Sequence, residues 1–267
     1  MNHNKKTLTV TIIIPAYNEE ALIARCLDSV KAQQIAPDQV LVMDNNSSDL
    51  TAEIAKIYDF VSLIPVKKQG IVFSRDKGFD YAESDIIARI DADTVLPTNW
   101  VKTLKEFYSD RENRNIAVTG GTSFINLPLP GVTYFIHKQM YFQFCQLFLG
   151  FRNMFGSSMA MHKSVLKKVR QNTCATDEFH EDIDFSLHLF EAGIKVKVLK
   201  DLKVYTSLRG WVKQSHAETD RYSIWKQTLL KHGIKSSKVY MYLGIFLALN
   251  KIYSIFNKTQ ALNPEFE

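Results

Sequence analysis

Three groups of acidic residues carry most of the chemistry legible in this chain. The first is Asp91-Ala92-Asp93, which follows the apolar run IIARI. Two carboxylates two residues apart at a strand end can point to the same side. Both are acceptor-only oxygen ligands. They suit Mg²⁺ or Mn²⁺, cations usually held by one or two carboxylates together with substrate phosphates. A capped turn ahead of Pro97 is the alternative. The second group is Asp44 to Asp49, DNNSSD, after a second apolar run. Asp44 can accept from a nucleotide base or a ribose hydroxyl, while Ser48 and Asp49 alone can satisfy a helix-capping loop. The third is His180-Glu181-Asp182-Ile183-Asp184. Three carboxylates in four positions repel one another, which raises proton affinity unless cations intervene. They also suit the first turn of a helix. Near other acidic strand ends, such a cluster can supply a base.

Basic groups are available to offset these acids. Arg75 and Lys77 follow Gly70 in GIVFSRDKGFDYA and can face phosphates or solvent. Gly156-Ser157-Ser158 can admit a substrate to the backbone or form a tight packing point. GxGxxG, GxxxxGK[ST], HExxH and GxSxG are all missing, so dinucleotide, P-loop, zincin and serine-elbow chemistry have no support. His162, His188 and His216 are scattered and read as surface or packing residues. Cys26, Cys145 and Cys174 form no CxxC pair. Neither a disulfide scaffold nor a structural zinc site is expected, and a reducing compartment is the default.

These residues need elements to hold them. Thr9–Ile14, Gln39–Met43, Val61–Val66 and Asp85–Ile90 read as strands, the first ended by Pro15. Glu20–Gln34, Asp49–Ile57, Val72–Ala82 and Asn99–Tyr108 read as helices. This alternation predicts βαβ units and a parallel sheet, with ligands beyond the carboxyl ends of the strands. Tyr17, Asp44 and Asp91 fall there. Ile116–Phe124 and Lys195–Thr206 each read as one strand, and Phe155–His162 as extended chain. Lys163–Val169 and Glu181–Ala192 read as helices, the latter closed by Gly193. Val132–Phe151 is rich in aromatics.

The chain has 267 residues, 46% of them hydrophobic and 23% charged, which excludes disorder and leaves room for one large α/β domain. The net charge of +5 is uneven. From Lys195 onward there are thirteen Lys/Arg against five Asp/Glu, so the tail is basic. Leu8–Ala16 reads as a buried strand, not a signal peptide. Val239–Leu249 falls short of the roughly 20 residues that span a bilayer.

Six segments occur together and in order: TVTIIIPAYNEE (9–20), VLVMDNNSSDLTAEIA (40–55), GIVFSRDKGFDYA (70–82), IIARIDADTVLPTNWV (86–101), GSSMAMHKSVLKKV (156–169) and HEDIDFSLHLFEAG (180–193). This combination resembles the family 2 glycosyltransferases of GT-A fold. The resemblance implies an α/β nucleotide-diphospho-sugar transferase fold, a mostly parallel sheet flanked by helices, with a helical basic C-terminal extension. The catalytic domain would cover 1–210, its nucleotide-binding half about 7–110 and its acceptor half about 111–210, with the extension at 211–267.

The resemblance also assigns roles. Pro15, Ala16, Tyr17 and Glu19 line the nucleotide pocket, Asp44 binds the base, and Arg75 lies near the nucleotide or diphosphate. Asp93 is the main ligand of a divalent cation, Mn²⁺ or Mg²⁺, and Asp91 contacts ribose or metal. Asp182 is the catalytic base of an inverting displacement. Processive members carry a QxxRW-type motif and several membrane helices. Here only SLRGW (207–211) stands in that place. Arg209 within it is assigned to the diphosphate, and transfer of a single sugar is expected.

The expected partners are a UDP- or GDP-sugar donor and a glycan or lipid-linked acceptor, in cell-surface glycan or glycolipid synthesis. A homodimer is compatible with the pattern, and no nucleic acid is expected. Tyr240, Leu243, Ile245, Phe246, Leu249, Ile252, Tyr253 and Ile255 make a candidate apolar stripe flanked by lysines. That stripe can place the protein at the inner face of a membrane, or pack on the catalytic body. Two other readings stand beside this one. They are a sugar-phosphate nucleotidyltransferase, which usually has a glycine-rich basic N-terminal loop, and a non-catalytic binding protein of the same fold.

Overall fold

The computed structural model describes residues 7–125, 130–207 and 217–260. Arg209, Trp211 and His216 lie outside them, as do the side chains of Leu249, Ile252, Tyr253 and Ile255. Four strands open the fold: β1 (Val10–Ala16), β2 (Gln39–Asp44), β3 (Val61–Pro65) and β4 (Ile86–Arg89). Helices α1 (Ile23–Lys31), α2 (Thr51–Lys56) and α3 (Ile71–Tyr81) connect them, and α4 (Trp100–Ser109) follows. The second half contributes β5 (Ile116–Thr119), β6 (Thr122–Phe124), β7 (Met159–His162), β8 (Lys195–Val198) and β9 (Val204–Thr206). Its helices are α5 (Pro130–His137), α6 (Cys145–Leu149), α7 (Lys163–Val169), α8 (Glu181–Glu191), α9 (Ala217–Lys231) and α10 (Ser236–Gln260).

The main sheet has the order β3-β2-β1-β4-β7-β5-β8. β7 alone runs antiparallel to its neighbours. β1 is buried along its whole length, as a strand covered on both faces must be. Its period-2 alternation feeds two layers. Ile12 and Ile14 pack with Cys26, Leu27, Trp100 and Leu104. Ile13 packs on the other face with Phe79, Met161 and Phe185. Each buried isoleucine contributes about 1.5–3 kcal/mol.

β1 continues through Pro15, where the sequence predicts its end. Its ladder with β4 stops at the Ile13–Arg89 pair. The N–H that proline lacks at 15 would face that vacated side, so no sheet bond is lost. On the other side, β1 and β2 stay paired to Ala16 and Asp44. The sheet therefore splits beyond Ile13 and Arg89, and the split opens a cleft.

Two expected strands are each broken in two. Ile116–Phe124 becomes β5 in the main sheet and β6 in a separate two-stranded sheet, and Lys195–Thr206 becomes β8 and β9 likewise. The breaks face one another. A Cβ on Gly120 would lie 1.8 Å from the carbonyl oxygen of Leu202, so two backbones meet where only glycine fits. Gly156–Ser158 forms one 3-10 turn, so the expected extended run begins only at Met159. Helices α1 and α2 are shorter than their sequence patterns.

The described part of the tail packs on the body. Trp225, Leu229, Val239, Tyr242 and Leu243 join the larger core, whereas Tyr240, Met241 and Leu247 stay exposed. Among the described residues, no helix is long and apolar enough to cross a membrane.

Candidate active site

The end of β1 supplies one wall of the cleft, which holds about 480 Å³. Pro15, Ala16, Tyr17 and Glu19 line that wall, with Asn45, Gly70, Ile71 and Ser74 opposite and Asp91 to Asp93 at the floor. Tyr17 is half exposed at the rim. Asn18 takes a left-handed φ of 52°, which turns the chain there. The turn is laced to the loop after β2. Asn18 Oδ1 accepts from Ser48 N at 2.9 Å, and Thr51 Oγ1 accepts from Glu19 N at 2.7 Å. Asp49 accepts from Thr51 N at 3.0 Å, so this loop does organise the start of α2.

Asp44, expected at the base, stands at the end of β2 and accepts from Ser47 N at 3.3 Å. It is not among the residues lining the cleft. Its neighbour Asn45 is, and its amide is fully used. Nδ2 donates to Val66 O and Lys68 O, and Oδ1 accepts from Gly70 N at 2.7 Å. Asn45 thereby pins the opposite wall. Arg75 does not line the cleft either. It is completely buried, bound to Asp76 at 2.8 Å and to the carbonyl of Glu181 at 2.9 Å. It holds the start of α8 from beneath.

The centre of the site is Arg89, a residue the motifs do not single out. Its guanidinium is 1% exposed and reaches three carboxylates: Asp91 at 2.8 Å, Asp182 at 2.8 Å and Glu181 at 3.3 Å. Burial opposes its charge, but Asp91, Asp182 and Glu181 outweigh burial and hold its pKa above the ordinary value. Gly156 lies against the guanidinium, where a Cβ would come within 2.8 Å of it. The Gly156 amide donates to Asp182 Oδ2 at 2.9 Å, which bends the chain into the observed turn. Ser157 donates to Asp91 Oδ2. Both oxygens of Asp91 are thus engaged, by Arg89 and by Ser157.

Three acids share the one guanidinium of Arg89. Burial drives Asp182 up, to about 7, with Arg89 pulling down and Glu181 and Asp91 pushing up. Burial raises Glu181 too, but His180, Arg89 and Arg75 overcome it and bring it to about 2. Asp182 is only 6% exposed and meets the cleft through Arg89. The structure thus joins Asp91 to Asp182 and lines the cleft with Asp93, Asp44 stands half-buried at the end of β2, and Arg75 is buried beneath α8.

A mainly parallel sheet that splits over an acidic cleft, backed by a buried carboxylate helix, defines a glycosyltransferase of GT-A fold. The chain belongs to glycosyl transferase family 2, whose family model matches residues 11–170. Glycosyltransferase AglE of Haloferax volcanii is 29% identical over 192 residues, covering 69% of this chain and 58% of that protein. A 4,4'-diaponeurosporenoate glycosyltransferase of Staphylococcus aureus is 40% identical over 114 residues, covering 40% of this chain. The chain spans 30% of that relative's length. Among solved structures, the mannosyltransferase PcManGT from Pyrobaculum calidifontis, in complex with GDP-Man and Mn²⁺, has a TM-score of 0.63 at 16% identity. The match covers 97% of this chain and 82% of that one.

Proposed function

We propose that the protein transfers a single sugar from a UDP- or GDP-sugar to an acceptor hydroxyl, with inversion at the anomeric carbon. One observation carries the reading: Arg89 fastens Asp91, at the floor of the cleft, to the buried carboxylate Asp182 of α8. Tyr17 at the rim suits stacking on a nucleotide base. The oxygen donors of Asp93 and Asp91 suit Mg²⁺ or Mn²⁺. Asp93 is the main ligand in this reading, as the resemblance assigns it, and Arg89 and Ser157 hold Asp91 beside it for ribose or metal. When bound, the cation neutralises the diphosphate leaving group. Arg209, outside the described residues, is assigned to that diphosphate by resemblance alone.

Asp182 takes the proton of the acceptor hydroxyl. The hydroxyl oxygen bonds to the anomeric carbon from the side opposite the diphosphate. The carbon–oxygen bond to the diphosphate breaks, and the nucleoside diphosphate leaves. A base near neutrality suits this task, and burial brings Asp182 to about 7. A second carboxylate as nucleophile is not needed for a single displacement.

The acceptor in this reading is a glycan or a lipid-linked glycan of the cell surface. Exposed Phe135, Leu147, Tyr240, Met241 and Leu247 supply apolar surface for such an acceptor, or for contact with the inner face of a membrane.

A panel of nucleotide sugars and acceptors, assayed with Mn²⁺ and again with chelator, tests the proposal. Product mass one sugar larger, in the inverted anomeric configuration and only with metal, is expected. A retained configuration, or release of inorganic pyrophosphate with no glycoside, overturns it.

A further inference from the structure

A second group of ligating side chains gathers on the helix that carries Asp182. Asp184 and His188 share one face of α8 at a spacing of four. Cys174, ahead of the helix, and His232, just past α9, meet them there. Their ligating atoms all lie within 4.8 Å of one another. Asp184 is 1% exposed, and the side chains of His188 and His232 are 10% and 9% exposed.

The orientations are specific. Nε2 of His232 lies 3.1 Å from Asp184 Oδ1, and Nε2 of His188 lies 3.4 Å from the same oxygen. Both rings turn Nδ1 toward Glu191, at 3.0 Å from His188 and 3.6 Å from His232. The Cys174 amide donates to Asp184 Oδ2 at 3.1 Å, which fixes the loop. Nε2 of His188 is buried and has no hydrogen-bond partner among the described residues. In the tautomer whose Nδ1–H donates to Glu191, Nε2 turns a lone pair toward a carboxylate oxygen. Two such acceptors repel in a buried place unless a proton or a metal cation sits between them.

We propose that Cys174, Asp184, His188 and His232 bind a structural zinc ion, with Glu191 orienting both imidazoles. One thiolate, two imidazoles and one carboxylate make a zinc-type donor set, unlike the all-oxygen pair at the cleft. A histidine whose outer nitrogen donates to a carboxylate is the usual support of a bound metal. Tetrahedral bond lengths put ligand atoms about 3.3–3.8 Å apart, so the group closes by roughly 1 Å of side-chain rotation. Cys174 is partly exposed and gives the ion a way in. Single-cysteine sets such as this leave no CxxC in the sequence. Only the pair at 184 and 188 is local.

The ion ties α9 to the helix of the base. The same junction holds the His180 amide on Thr228 Oγ1 at 2.9 Å and Trp225 edge-on to His180 at 5.1 Å. The inference does not depend on the donor or the acceptor.

Metal analysis of the full chain, stripped with chelator and reloaded with Zn²⁺, tests it. About one equivalent of zinc is expected to survive gel filtration and to raise the thermal midpoint. Replacing the zinc by Co²⁺ should give a thiolate charge-transfer band that C174S lacks. C174S/H232Q should lose the equivalent, E191Q should weaken binding ~10-fold, and D93A should retain it. Circular dichroism checks that each variant is folded, and the native chain's own stoichiometry stands whatever the variants do. No retained zinc in the native chain overturns the proposal. So does equal retention in the folded double variant, because protons on the two histidines then suffice.

Discussion

Arg89 Nη1 donates to Asp182 Oδ1 across 2.8 Å, a contact between residues 93 positions apart. It couples the acidic floor of the cleft to the first turn of α8. Because Asp182 is the proposed base, D182N should reduce transfer by ~10²–10⁴-fold, the usual contribution of a general base. Donor affinity measured by calorimetry should be unchanged. Normal turnover by D182N would move the base elsewhere.

The burial of Asp182, which this contact only partly offsets, sets a pH dependence. Burial holds Asp182 at about 7, so its deprotonated form is lost as pH falls through that value. kcat/KM should therefore rise with pH through neutrality and level off above. A profile flat from pH 5.5 to 8 would contradict the assignment.

Removing the guanidinium strands Asp91, Glu181 and Asp182 together. R89M should cost about 3–5 kcal/mol in denaturant unfolding, the typical penalty for breaking a buried pair. R89K restores a charge but not the fork. It should recover part of the stability and little of the activity.

G156A places a methyl carbon where the guanidinium lies, 2.8 Å away. Overpacking of this kind costs about 1–3 kcal/mol. Because Arg89 must shift, turnover should fall along with the unfolding midpoint. Unchanged kinetics would show that Arg89 has slack.

D93A should weaken donor binding measured with Mn²⁺ and leave metal-free binding little altered. Equal losses in both conditions would remove Asp93 from the cation.

Acid should act through His137. It is buried, and burial alone lowers its pKa to about 3. An unfolded histidine titrates near about 6.5. Between those values the unfolded chain binds more protons, so stability must fall as pH drops through that window. The slope attributable to this residue approaches about 1.4 kcal/mol per pH unit. H137F keeps the ring and should flatten that limb of a stability curve.

The parallel half of the fold is legible in the sequence because its strands are apolar runs separated by helical periodicity. The breaks at Gly120 and Leu202 are not, since they arise from two segments about eighty residues apart touching backbone to backbone. The acidic motifs are legible as carboxylates at element ends. Their cation is legible only with hindsight: an arginine in the buried run IIARI must have partners, and its place two residues before Asp91 was the available signal. Asp44 and Arg75 show the opposite limit. Residue type and neighbourhood point both at the cleft, but Arg75 is buried beneath α8, and Asp44 accepts from Ser47 N in its own loop.

The meeting of Gly120 with Leu202 has a consequence for how this chain can vary over time. With no room for a β-carbon, position 120 is closed to the other nineteen amino acids unless residue 202 retreats. Drift at either place is therefore a joint event. Homologues that lose the glycine should differ in the path of the turn that faces it.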